Sequence, residues 1–99
     1  SLARFGNMES FYIKFLKKFI DDKSFINLKE ALENNNIDKI GEEAHTLKGV
    51  AGNLGLNKVY QYSVELMRLA KENNLAEIKE IVEKLEEEIE KVISALKNL

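Results

Sequence analysis

Apolar residues recur along this chain at helical steps of three and four, and no stretch alternates as a strand does. Met8, Tyr12, Phe15 and Phe19 form the first stripe, widened by Phe11 and Leu16. With Asn7 placed to cap it, the spacing predicts a long helix from near Asn7 to Asp21. Ser24 is expected to cap a shorter helix carrying Phe25, Leu28 and Leu32, which the asparagines at 34–36 end. Asn36 caps a third, whose inward stripe is Ile37, Ile40, Ala44, Leu47, Ala51 and Leu54. A fourth opens at Asn57, with Tyr60, Val64, Met67 and Ala70 inward, and Asn73-Asn74 closes it. The last stripe is the most regular: Leu75, Ile78, Val82, Leu85, Ile89, Val92, Leu96 and Leu99. Asn74 and Glu77 stand at its start with the spacing of a capping box.

Short polar connections between helices predict antiparallel neighbours. The expected fold class is therefore all-α: an antiparallel up-and-down four-helix bundle with one additional short helix. A chain of 99 residues has room for one such core, so residues 1–99 are read as a single domain. The absence of proline and the dominance of Leu, Glu, Lys, Ile and Ala agree with it. The first residue is Ser1 rather than Met, as expected of a segment cut from a longer protein.

Charge narrows the choice of partner. A net charge of −2 argues against nucleic acid, whose phosphates are held by clustered positive charge. Lys14, Lys17 and Lys18 read instead as the wet face of a helix. No apolar run is long enough to cross a bilayer, so no membrane contact is expected. Cysteine is absent, which removes disulfides and thiolate metal sites and fits a reducing, cytoplasmic setting.

One stretch breaks the helical composition. "EEAHTLKGVAGNLGL", residues 42–56, holds the one histidine of the chain and three of its five glycines. Each glycine inside a helix costs about 1 kcal/mol against alanine, so their concentration needs a reason. On a helical wheel His45 projects about 130° from the centre of the inward stripe, toward water. Gly41, Gly49 and Gly52 fall on the same outward side, and Lys48 flanks them nearer the core boundary. Gly55 stands where a helix C-cap or a docking glycine would stand. Bare backbone beside an imidazole lets another surface approach closely.

Several chemistries are excluded. A metal site needs more ligands than one histidine supplies, and none is expected here. Hydrolysis by an activated serine or cysteine needs a pocket that a bundle this small gives no sign of. A phosphate-binding glycine loop needs a preceding strand. Histidine can itself be a nucleophile, and an imidazole keeps a sizeable neutral fraction near neutral pH. An exposed one suits a phosphoryl group delivered by a second protein, with Lys48 offsetting the charge.

"AHTLKGVAGNLGL" closely resembles the signature of histidine-containing phosphotransfer (Hpt) domains, His-x-Leu-Lys-Gly-x-Ala-x-x-Leu-Gly. Here His45, Leu47, Lys48, Gly49, Ala51, Leu54 and Gly55 meet it. "LARFGNMESFYIKFLKKF" is similar to the family's first helix and its lead-in, and "SVELMRLAKEN" to the helix after the histidine. The resemblance implies a four-helix bundle that carries phosphate on His45 between receiver-domain aspartates in a two-component phosphorelay. By the same resemblance Lys48 is the charge partner, and Gly49 and Gly55 join Gly41 and Gly52 as receiver-docking positions. Partners would be response-regulator receiver domains or a hybrid histidine kinase. The domain would bind no cofactor, Mg²⁺ belonging to the receiver, and would have no ATP-dependent kinase activity of its own. Some members carry a glutamine on the following helix that steadies the imidazole. Met67 and Leu69 stand near where it would fall, and the one glutamine, Gln61, is earlier.

Two other readings stay open at this point. The domain could be the phosphoacceptor module of a chemotaxis-type histidine kinase. Alternatively the stripe from Leu75 to Leu99 could be a coiled-coil seam of a dimerising scaffold, but it is expected instead to be the core helix of a single bundle, which makes the domain a monomer. The acidic run "EEEIE" at 86–90 reads as that helix's solvated face.

Overall fold

The computed structural model describes residue 14, residues 17–19 and residues 21–97. Within them lie four helices and no strand: α1, Ser24–Glu33; α2, Ile37–Leu54; α3, Asn57–Lys71; and α4, Leu75–Lys97. Ahead of α1, the described residues up to Asp21 are helical, and Phe19 is buried. The rest of the expected first stripe, with Asn7, Met8, Phe11, Tyr12, Phe15 and Leu16, lies outside the described residues. α2 packs against both α1 and α3, and α3 against α4. No helix among the described residues is long and apolar enough to cross a membrane.

The core follows the stripes for the most part. Ile40, Ala44, Leu47 and Ala51 of α2 are buried, as are Ile78, Val82, Leu85 and Ile89 of α4. α1 adds Leu28 and Ala31, where Phe25 and Leu32 are half-buried. The expected seam of α4 thus packs inside this bundle, although the Leu96 side chain and Leu99 lie outside the described residues. Each fully buried Leu or Ile contributes about 1.5–3 kcal/mol relative to exposure.

α3 departs from expectation. Its buried face is Val59, Ser63, Leu66 and Leu69, roughly a quarter-turn from the predicted stripe. Tyr60 is 38% exposed and Val64 41% exposed, and Met67 and Ala70 are half-buried. Ser63 explains the misreading. A serine interrupts the apolar pattern of the true inner face, but its hydroxyl donates to the Val59 carbonyl at 2.7 Å and enters the core satisfied.

Ser24 also departs. It is the first helical residue of α1 rather than its cap, and it is buried. The capping side chain is two residues earlier: Asp22 Oδ1 accepts the Ser24 N–H at 2.7 Å. Aspartate and serine are both good formers of such bonds, and spacing alone does not choose between them.

Three chain reversals share one construction. Asn35, Gly55 and Asn73 each take a left-handed conformation, with φ of 53°, 71° and 55°. After each, the next residue's N–H reaches back to the carbonyl five residues before it: Asn36 to Ala31 at 2.8 Å, Leu56 to Ala51 at 2.9 Å, Asn74 to Leu69 at 3.0 Å. This is the Schellman closure, which satisfies orphan carbonyls and turns the chain in two or three residues. Asn36 and Asn74 then cap the following helices as expected, accepting the Lys39 and Glu77 N–H groups at 3.2 Å each. The reciprocal half of the capping box is missing because the Asn74 N–H is already bonded to Leu69. Leu56 has no side-chain cap to offer α3.

Substitution of these positions should separate the two devices. Asn36→Ala and Asn74→Ala should each lower stability by about 1 kcal/mol through the lost cap. Gly55→Ala should cost about 1–2 kcal/mol, because an L side chain disfavours positive φ. Urea unfolding midpoints measure all three, and an unchanged Gly55→Ala midpoint would contradict the left-handed turn.

Candidate functional site

Burial of Ile40, Ala44, Leu47 and Ala51 fixes the rotation of α2 and leaves His45 exposed on its outer face. None of the side-chain hydrogen bonds among the described residues involves His45. Gln61, on α3, is likewise exposed. Among the described residues the exposed imidazole thus has no hydrogen-bond partner.

Gly49, one turn beyond His45, is exposed, and a Cβ built there would meet nothing within 4 Å. Here the expected cleared surface is present. The other three glycines have neighbours or backbone reasons of their own. Gly41 turns toward α3 rather than straight to solvent: its Cβ would lie 3.4 Å from the Ala70 Cβ. At Gly52 a Cβ would lie 3.5 Å from Cδ2 and Cε2 of Tyr60. Gly55 faces open space, yet its φ of +71° places it as the turn residue that ends α2. The wheel placed His45 and Gly49 outward correctly but turned Gly41 to solvent, because it held no information about which neighbouring helix would fill a sector.

Lys48 is half-buried at the edge of α2, three residues from His45 and hence on the same side of the helix. Its Nζ stands 5.9 Å from the centre of the Tyr60 ring. Among the described residues it takes part in no salt bridge, in contrast to Lys39, which pairs with Glu43 at 3.4 Å. On α3, Arg68 is held by Glu65 and Glu72, and these carboxylates raise its already high pKa. That guanidinium is engaged on its own helix. Lys48, among the described residues, faces an aromatic ring and no carboxylate.

Tyr60 and Val64, one turn apart on α3, make an exposed apolar edge beside α2. Reading the α3 stripe as inward hid this edge. The signal that would have found it is the competing register Val59, Ser63, Leu66, whose serine can bond to its own helix.

A family model of the Hpt domain matches residues 23–95. Curated proteins and solved structures give no match. The matched span contains α1, the whole of α2 and α3, and α4 to within its last turn. His45, Lys48 and Gly49 thus lie well inside it, on the one helix that exposes a histidine. Both the all-α bundle and the match over most of the chain lead to one assignment: this chain belongs to the Hpt domain family, whose members carry out histidine phosphotransfer in phosphorelays.

Proposed function

We propose that His45 accepts a phosphoryl group from the aspartyl phosphate of one receiver domain and passes it to the aspartate of another. The observation that carries this reading is the exposed imidazole beside Gly49, where nothing lies within 4 Å of a built Cβ. A ring nitrogen's lone pair forms the N–P bond as the P–O bond to the aspartyl carboxyl breaks, and the electron pair leaves on the carboxylate. Onward transfer reverses these bonds on a second carboxylate. Lys48 offsets charge on the phosphoryl oxygens from three residues away, and Mg²⁺ is supplied by the receiver.

Receiver domains are the partner class in this reading, whether free or within a hybrid kinase. Gly49 gives the approach its clearance, and Tyr60 and Val64 give it apolar area at the rim. Gly41, Gly52 and Gly55 contribute to docking less directly, by holding α2 against α3 and ending it in a tight turn. The central part of the α4 stripe, Ile78, Val82, Leu85 and Ile89, is buried within the bundle, which supports a monomer.

Incubation with phosphorylated receiver domains should place acid-labile, alkali-stable phosphate on the wild-type chain. His45→Gln should abolish it with helical content unchanged. Label retained by that variant would sink the assignment.

Lys48→Ala should slow transfer several-fold without unfolding the domain, since a partly exposed charge acts through screened attraction of about 1 kcal/mol. The wild-type rate should fall as salt rises. Equal rates for variant and wild type at every salt concentration would make Lys48 a bystander.

Gly49→Ala should raise stability by up to about 1 kcal/mol, because the site is open and alanine is the better helix former. Gly49→Gln should fold equally well yet weaken receiver binding and phosphotransfer. Thermal melts beside a transfer assay decide it: loss of activity only in proportion to unfolding would contradict the clearance role.

A further inference from the structure

We infer that Tyr60 is a positioning residue for Lys48, holding the ammonium on the His45 side of α2 with the face of its ring. The inference rests on the reading of His45 as the phosphoryl carrier, and it adds a residue that neither the signature nor the charge pattern singles out. Three contacts support it. Lys48 Nζ lies 5.9 Å from the ring centre, within the range of a cation–π attraction. The ring edge lies 3.5 Å from where a Cβ would stand at Gly52, so the ring rests across bare α2 backbone. Gly52 is four residues from Lys48, which places ring, glycine and ammonium on one face of α2.

The physical need is clear. A lysine head on a four-carbon stem samples many rotamers, and an acidic partner that pinned it would also cancel the charge a phosphoryl group requires. An aromatic face attracts the ammonium through its quadrupole and leaves the positive charge intact. Lys48 has that face and, among the described residues, no carboxylate. Lys29 shows the contrasting arrangement: it stands 5.9 Å from the Phe25 ring but is also bridged to Glu86. The exposure of Tyr60 means that its ring is not consumed by the core.

The test removes the receiver from the measurement. Phosphoramidate, a small phosphoryl donor, is used to phosphorylate the 99-residue chain, with phosphohistidine followed by ³¹P NMR. Tyr60→Leu should slow phosphorylation of His45 about two- to five-fold, the rate equivalent of one exposed cation–ring attraction. Tyr60→Phe, which keeps the ring, should stay at the wild-type rate. Lys48→Met should be slow, and adding Tyr60→Leu to it should slow the reaction no further. The Lys48 side-chain CH₂ proton resonances should show an upfield ring-current shift in wild type and Tyr60→Phe, lost in Tyr60→Leu. A wild-type rate for Tyr60→Leu with phosphoramidate, or full additivity with Lys48→Met, would overturn the inference. Slowing confined to transfer from receivers would also overturn it, making Tyr60 a docking residue. Failure of the relay reading appears separately, as a wild-type chain that takes phosphate from phosphoramidate but from no receiver.

Discussion

Rotation of α2 about its own axis is held by Ile40, Ala44, Leu47 and Ala51, which are buried between the neighbouring helices. Side chains follow one another at about 100° around a helix, so a slip of one position would carry His45 from solvent toward a helix interface. The face that carries His45 therefore has no independent support. It is the complement of the apolar face, and its direction is set by packing whose loss at a single leucine would cost about 2–5 kcal/mol. Stability and presentation of the imidazole are in this sense one property.

On that fixed face the environment is asymmetric. One flank carries Lys48 and the Tyr60 ring, and the Gly49 side is bare. Charge and clearance are thus separated around the histidine rather than superposed. In the proposed transfer, a long side chain at Gly49 would block the partner's approach, and a carboxylate beside Lys48 would neutralise the one nearby cation the signature supplies. Exposed ion pairs elsewhere, such as Arg68 with Glu72, lie on outer surfaces where they are worth little to stability.

Much of this was legible in the residues. The α2 stripe has an unbroken apolar face, and its complement placed His45 and Lys48 correctly. Asn36 and Asn74 were legible as caps because their side chains act on backbone only three residues away, a purely local bond. What failed was non-local or degenerate. Ser63 is polar by composition but apolar in effect once it bonds to Val59, so α3 was turned toward the wrong register. Gly41 was assigned to solvent because a wheel carries no neighbouring helix, and Ala70 stands in that direction. Tyr60 was misplaced into the core for the same reason that makes it interesting: aromatic residues read as interior whether or not they serve a surface.

The tight turns have a kinetic consequence. Because α1, α2, α3 and α4 are joined by two or three residues each, the most extensively packed pairs, α1 with α2, α2 with α3 and α3 with α4, are neighbours in sequence, while contacts such as Lys29 with Glu86 join α1 to α4 over a longer span. Loop-closure entropy is then small for each of those consecutive pairs, and chains of this topology fold on microsecond to millisecond timescales. With no proline anywhere in the chain, no slow prolyl isomerisation phase interrupts the process. A domain melted by heat or denaturant should recover its histidine-bearing face in one fast step on return to native conditions.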